Sequence, residues 1–209
     1  MKNRGRVQFI TDPRPGFSPE KQIEMACACG LDWVQLRMKN FDRGEKLRVG
    51  EQSVKITRKC GTLFIVNDDV ELARRLEADG VHLGLDDEDP TVARKILGDK
   101  AIIGGTCNTI ADIRLRYRQG VDYIGLGPYR FTQTKKKLST ILGLQGIEQI
   151  MQQCREEELH IPIVVIGGVR VKDIEPIVKT GTYGIALSSL IIDGDNMKTR
   201  IREIQEKIR

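Results

Sequence analysis

Short apolar runs rich in β-branched residues recur along the chain, and longer segments with helical spacing of apolar residues separate them. Runs of this kind are typical of buried strands, and the segments between them predict amphipathic helices. The predicted strands are VQFIT (7–11), WVQLR (33–37), TLFIV (62–66), GVHLG (80–84), AIIGG (101–105), DYIGL (122–126), PIVVIG (162–167) and YGIALS (183–188).

The segments between the strands also carry signals for where helices begin and end. In SPEKQIEMACACG, Ser18 is placed as the N-cap, Pro19 at the first helical position and Gly30 at the C-cap. The segments 143–157 and 196–209 show the same apolar spacing. Helices are therefore expected between successive strands.

Strands that alternate with helices predict right-handed βαβ units and a parallel sheet. Eight such units in 209 residues are what a minimal (β/α)8 barrel requires. The predicted fold class is α/β, a single (β/α)8 TIM barrel, with residues 1–209 forming one catalytic domain. A doubly wound open sheet is the alternative, but the regularity of the eight repeats favours closure.

Charge and composition narrow the function classes. The net charge is +5, yet Lys and Arg are mixed with Asp and Glu, and aromatic residues make up only 5%. A nucleic-acid binder usually clusters its charge and adds stacking aromatics, so an anionic small substrate is favoured. Five cysteines without C-x-x-C spacing indicate neither a disulfide framework nor a zinc site.

The chain shows no signal-peptide pattern at its start and no apolar stretch of the roughly 20 residues that a membrane helix needs. We therefore expect a cytoplasmic protein that acts on small-molecule substrates, without a nucleic-acid or membrane partner. The sequence is compatible with a homo-oligomer but does not predict its oligomeric state.

Polar residues concentrate at the carboxyl ends of the predicted strands, where the active sites of such barrels lie. In strand order, the candidate site residues are Gln35, Arg37, Lys39, Asn67, Asp68, Asp87, Thr106, Thr132, Thr134, Lys135, Gly168, Ser188 and Ser189. Two carboxylates on neighbouring strands can share one Mg²⁺ with substrate phosphate oxygens. Arg and Lys bind phosphate, and glycine lets backbone N–H groups approach it. The set predicts a diphosphate site with Mg²⁺ and a second phosphate site.

The segments VQLRMK, FIVNDDVELA, ADGVHLGLDD, DYIGLGPYRFTQTKK and IPIVVIGGV resemble, in the same order, those of the thiamin phosphate synthase family. The resemblance extends over nearly the full chain. It implies a transferase of thiamine biosynthesis on a (β/α)8 barrel. The implied reaction joins 4-amino-5-hydroxymethyl-2-methylpyrimidine diphosphate to 4-methyl-5-(2-hydroxyethyl)thiazole phosphate and releases pyrophosphate by a dissociative, Mg²⁺-assisted route.

The resemblance also implies a role for each candidate residue. Asp68 and Asp87 match the Mg²⁺ ligands, and the catalytic group is Arg37, Lys39 and Lys135. The substrate-binding positions are Gln35, Asn67, Thr106, Thr132, Thr134, Gly168, Ser188 and Ser189. Thr106 stands where the family usually has serine, so the hydroxyl is kept.

The chain departs from the family pattern at several positions. Leu85 replaces a frequent glutamine, Asp69 a frequent arginine, Phe131 a proline, Lys137 an acidic residue and Asn108 a histidine. These departures bear on the substrate contacts rather than on the metal site.

Other interpretations remain open from the sequence. A thiazole tautomerase of the same fold is the alternative, although it tends to lose the metal residues and to rely on a histidine where Asn108 stands. A non-catalytic phosphate- or nucleic-acid-binding barrel and another phosphate-handling barrel enzyme are further rivals. Individual residues also have structural interpretations: Trp33 is expected inside the barrel, His82 in the core and Cys107 near the mouth, within reach of thiol reagents.

Overall fold

The structure is a computed structural model that describes residues 5–131, 140–193 and 196–208. Eight parallel strands close into a barrel in sequence order, because the first strand pairs with the eighth as well as with the second. The strands are β1 Val7–Ile10, β2 Trp33–Leu36, β3 Leu63–Asn67, β4 Gly80–Leu83, β5 Ile102–Cys107, β6 Tyr123–Leu126, β7 Ile163–Ile166 and β8 Gly184–Leu187. The prediction of a (β/α)8 barrel is confirmed, and the open sheet is excluded.

Helices cover the outside of the barrel. They are α1 Pro19–Ala28, α2 Arg43–Cys60, α3 Val70–Arg75, α4 Pro90–Leu97, α5 Ile110–Arg118, α6 Gly143–Glu156, α7 Val171–Lys179, α8 Ser189–Ile192 and α9 Met197–Lys207. Of the described residues, no helix is both long and apolar enough to cross a membrane.

The predicted ends of the first helix agree with the structure in position, but the capping hydrogen bond predicted at its start does not form. Helix α1 begins at Pro19, and Gly30 takes the left-handed conformation just beyond the helix. The Ser18 side chain makes no capping hydrogen bond. Asp69 and Asp89, in contrast, cap α3 and α4 through their carboxylates.

Alternation along the strands divides the core into two layers. Residues of one parity fill the barrel interior, namely Ile10, Trp33, Leu63, Ile65, Tyr123, Val164 and Ala186. Residues of the other parity pack outward against the helices. The Trp33 and Tyr123 rings meet edge to face, with centroids 4.9 Å apart, so the prediction that Trp33 lies inside the barrel is confirmed. This packed interior closes the lower barrel and leaves space only at the carboxyl ends.

Candidate active site

A cavity of about 440 Å³ opens at the carboxyl ends of the strands. All ten candidate residues that the structure describes line it: Gln35, Arg37, Lys39, Asn67, Asp68, Asp87, Thr106, Gly168, Ser188 and Ser189. Thr132, Thr134 and Lys135 lie outside the described residues, as does Lys137. The structure thus brings the described candidates together, while the role of each one stays a prediction.

Two carboxylates approach each other where β3 and β4 end. Asp68 has a left-handed backbone with φ of 67°, a conformation that aspartate tolerates better than most residues. Its N–H donates to the His82 carbonyl at 2.8 Å. Asp87 accepts a hydrogen bond from the Gly84 N–H at 2.6 Å. The backbone of Asp68 and the side chain of Asp87 are thereby held at the turns that follow their strands.

The electrostatics of this pair suit a cation. Burial, followed by the hydrogen bond and charge of Asp87, raises the pKa of Asp68 to about 6, while Lys39 and Arg37 oppose the rise. A divalent ion between the carboxylates would remove their repulsion. Mg²⁺ takes one or two carboxylates and fills its other positions with water and phosphate oxygens. In the described ranges no three acidic, His or Cys side chains converge, so the two carboxylates of Asp68 and Asp87 form a donor set of the kind that fits Mg²⁺.

The cationic side of the cavity comes from the end of β2. Lys39 Nζ lies 3.9 Å from Asp68 Oδ2 and stays half-exposed. Burial lowers the pKa of Arg37 from its usual high value, and the charges of Asp12 and Asp68 partly restore it. The guanidinium therefore remains charged at neutral pH. As the strand parity predicts, Gln35, Arg37 and Lys39 all face the cavity.

Thr11 fixes the position of Arg37 and was missed by the sequence reasoning. Its buried hydroxyl accepts from the Arg37 N–H at 2.8 Å and donates to the Arg37 carbonyl at 3.3 Å. The side chain also lines the cavity. The sequence does show a threonine directly after the first strand. Its partner Arg37 lies 26 residues away, so the contact between the two could not be recognised from the sequence.

The opposite wall is formed where β7 and β8 end. Gly168 has φ of 67°, and a Cβ there would lie 2.9 Å from Arg130 Cβ, so only glycine fits without a shift. Ser188 Oγ is buried with no hydrogen-bond partner among the described residues. A buried polar atom of this kind calls for a ligand or water. This wall therefore suits a second polar group of the substrate.

The cavity floor is a buried polar network. His82 Nδ1 lies 3.0 Å from the Tyr123 hydroxyl, and His82 Nε2 lies 3.0 Å from Thr106 Oγ1. Gln8 Nε2 donates to the Tyr123 hydroxyl at 3.1 Å, and Gln35 Nε2 donates to Gln8 Oε1 at 3.4 Å. The prediction that His82 is a hydrogen-bonded core histidine is confirmed.

The expectation for Cys107 is wrong. Its side chain is completely buried in the layer between the barrel and the helices. Strand β5 continues to Cys107, two residues beyond the predicted end at Gly105. Because successive strand residues face opposite sides, Thr106 points into the cavity and Cys107 points away from it.

Fold and site together define a phosphate-handling (β/α)8 barrel enzyme, with paired carboxylates and cations on one wall and a glycine-bearing wall opposite. The chain belongs to the thiamine monophosphate synthase family, whose model matches residues 7–191.

Individual relatives agree with this assignment. The thiamine-phosphate synthase of Flavobacterium johnsoniae is 41% identical over 97% of this chain and 96% of its own length. That of Phocaeicola vulgatus is 45% identical over 89% of each chain. Among solved structures, thiamine phosphate pyrophosphorylase from Pyrococcus furiosus superposes with a TM-score of 0.84 at 29% identity, over 97% of this chain and 96% of its own.

Proposed function

We propose that this protein is a thiamine-phosphate synthase. It joins 4-amino-5-hydroxymethyl-2-methylpyrimidine diphosphate to 4-methyl-5-(2-hydroxyethyl)thiazole phosphate and releases pyrophosphate. The observation that carries the proposal is the carboxylate pair of Asp68 and Asp87, which faces Lys39 and Arg37 in one cavity. Carboxylates in a phosphate pocket would repel the ligand unless a metal ion that they hold supplied compensating positive charge.

The reaction breaks a carbon–oxygen bond to the diphosphate and forms a carbon–nitrogen bond to the thiazole ring. When bound, Mg²⁺ supplies positive charge that stabilises the departing pyrophosphate, and Asp68 and Asp87 would hold it. Arg37 and Lys39 bind diphosphate oxygens from the same side of the cavity. Such a route needs residues that stabilise the negative charge of the leaving group and position the two substrates. It does not need a protein nucleophile.

Other residues position the two substrates. Gln35, Asn67 and Thr106 contact the pyrimidine diphosphate from the floor and the metal side. Gly168, Ser188 and Ser189 hold the thiazole phosphate at the opposite wall, and the unpartnered Ser188 Oγ supports this assignment. Thr132 and Thr134 complete the phosphate contacts, and Lys135 neutralises the pyrophosphate.

The test measures pyrophosphate release with both substrates, with each one alone, and with and without Mg²⁺. Asp87→Asn removes the charge of one ligand but keeps an oxygen for the Gly84 N–H. We expect a loss of at least about a hundredfold in kcat, as for removal of one preorganised electrostatic group. Asp99→Asn is the matched control, because this exposed aspartate precedes β5 at the amino end of the barrel.

Two results would count against the proposal. Pyrophosphate release that needs no metal would show that the carboxylates do not act by holding a metal ion. Equal effects of Asp87→Asn and Asp99→Asn would show that Asp87 does not belong to the active site. Tautomerisation of a thiazole phosphate without pyrophosphate release would establish the isomerase instead. The retained carboxylate pair disfavours that outcome, as does Asn108, whose side chain donates to the Gly127 carbonyl.

A further inference from the structure

Directional hydrogen bonds connect the barrel interior to the substrate cavity. Tyr123, Gln8 and Gln35 are almost fully buried, and His82 and Thr106 are buried next to the cavity that they line. Each of these groups carries a fixed number of donors and acceptors. The direction of every bond in the network can therefore be worked out by counting.

The count starts at the Tyr123 hydroxyl, which has one proton and two lone pairs. The amide nitrogen of Gln8 donates to its oxygen at 3.1 Å. The hydroxyl proton then needs an acceptor, and His82 Nδ1, at 3.0 Å, is the neighbouring atom that can take this role. His82 Nδ1 therefore accepts the hydroxyl proton.

Burial supports this direction, because it raises the pKa of Tyr123 far above its usual value although the hydrogen bonds from Gln8 and Gln35 oppose the rise. The hydroxyl thus keeps its proton. Since His82 Nδ1 accepts, the imidazole carries its single proton on Nε2.

The next bond follows from that tautomer. His82 Nε2 lies 3.0 Å from Thr106 Oγ1 and donates its proton to it. The threonine oxygen is an acceptor in this bond, so its own proton is not used there. Thr106 lines the cavity, and its hydroxyl can donate to a substrate oxygen.

Two glycines make room for this arrangement. A Cβ at Gly104 on β5 would lie 2.2 Å from Tyr123 Cζ and 2.5 Å from His82 Nδ1. A Cβ at Gly125 on β6 would lie 3.0 Å from His82 Cε1. A side chain at position 104 would clash with both residues, and one at position 125 would make the imidazole shift by a few tenths of an ångström. The contact between Tyr123 and His82 therefore depends above all on Gly104.

We propose that Tyr123 and His82 are positioning residues that fix the Thr106 hydroxyl as a hydrogen-bond donor to an anionic oxygen of the bound substrate. The identity of that oxygen, on the diphosphate that leaves as pyrophosphate, rests on the proposed function. The direction of the hydrogen bonds that run from Tyr123 through His82 to Thr106, here called the relay, does not rest on the proposed function, because it follows from protein groups alone.

The first test is independent of catalysis. The chain has two histidines, His82 and the exposed His160, so long-range proton–nitrogen NMR spectra of the substrate-free protein contain two imidazole patterns. The pattern that disappears in the variant His160→Gln belongs to His160, and the remaining pattern belongs to His82. We expect the Nε2–H tautomer for His82. The relay would be overturned by an Nδ1–H tautomer or by a doubly protonated ring. The Nδ1–H tautomer would arise if the Gln8 amide presented its oxygen to Tyr123.

The second test is a double-mutant cycle with steady-state kinetics. Thr106→Val removes the donor and should lower kcat about a hundredfold, whereas Thr106→Ser keeps the hydroxyl and should stay within about threefold. Tyr123→Phe keeps the ring that packs on Trp33 but leaves Nδ1 without its donor. We expect a mixed His82 tautomer and about a tenfold loss in kcat, with KM little changed.

The cycle distinguishes positioning from packing. If Tyr123 acts through Thr106, Tyr123→Phe causes no further loss in the Thr106→Val background. An equal loss in both backgrounds would show that Tyr123 acts elsewhere and would overturn the proposal. A wild-type protein that released no pyrophosphate would refute the proposed function, while the tautomer spectrum would still decide the relay.

Discussion

At the scale of single residues, strand parity decides which side chains can reach the substrate. The rule correctly placed Gln35, Arg37 and Lys39 in the cavity, because alternation depends only on an extended backbone. The rule also holds at Cys107, which faces away from the cavity; the wrong expectation came from the strand bounds, since two consecutive glycines were taken as the end of the fifth strand. Gly104 instead makes room for the rings of Tyr123 and His82 and Gly105 for the side chain of Arg116, contacts that local sequence cannot show.

The thiols should react according to their burial. Cys60 is exposed and Cys107 is fully buried, and burial is also the main cause that raises the pKa of Cys27 to about 11. We expect a maleimide reagent to modify Cys60 first and Cys107 only after unfolding, because the thiolate is the reactive form. Peptide mass spectrometry, with Cys60→Ser as control, measures this. Rapid labelling of Cys107 in the folded protein would contradict its placement.

At the scale of elements, the loop after β6 is bound to the start of α7. The Arg130 guanidinium donates to the Gly168 carbonyl at 2.8 Å and to Asp173 Oδ2 at 2.7 Å. Asp173 also accepts from the Arg170 N–H at 2.8 Å. These bonds hold the glycine wall of the cavity against the loop after β6. The eight strands were predictable from periodicity, but this contact joins residues 43 apart and was not.

The Asp173 contact predicts a pH-dependent stability. Burial alone would raise the pKa of Asp173, but hydrogen bonds from Arg130 and Arg170 outweigh it, so the folded-state pKa lies below the ordinary value. Its stabilisation is therefore present above about pH 4 and is lost as the pH falls through the folded-state pKa.

Urea denaturation between pH 3 and pH 7 measures this effect. We expect Asp173→Asn to lower the free energy of unfolding by about 1–3 kcal/mol at pH 7, as for hydrogen bonds to charged groups, and by progressively less towards pH 3. Glu175→Gln is the control, because its ion pair with Lys179 is exposed. A difference that stayed constant with pH would show that charge is not involved.

At the scale of the whole molecule, the barrel is closed by pairing between the first and last strands. Val7 lies opposite Ile185 and Phe9 opposite Leu187. Arg6 strengthens this seam, because its guanidinium donates at 2.7 Å to both the Tyr183 and the Ile208 carbonyls. Regular alternation predicted closure, and closure in turn brings the candidate residues together. Arg6 could not be recognised, since its acceptors are backbone atoms without any sequence signal.

Loss of the Arg6 contacts should affect stability rather than catalysis. Arg6→Met keeps much of the apolar stem but leaves the Tyr183, Ile208 and Thr182 carbonyls without this donor. We expect a loss of about 2 kcal/mol, which corresponds to a fall of about 4–8 °C in Tm for a chain of this size, with KM for both substrates unchanged. Calorimetry measures it. Arg74→Met, at an exposed ion pair with Glu71, should change Tm much less, and an equal fall in both variants would refute the role of the seam.

The same seam constrains how the protein is made. During synthesis β1 leaves the ribosome first, yet its partner β8 follows some 170 residues later. Until then the nascent sheet has an unpaired edge at β1, and such edges promote association with other chains. Asp68 and Asp87, which follow β3 and β4, are already translated at that stage, so the growing chain carries both carboxylates of the proposed metal site before it has a cavity to enclose them.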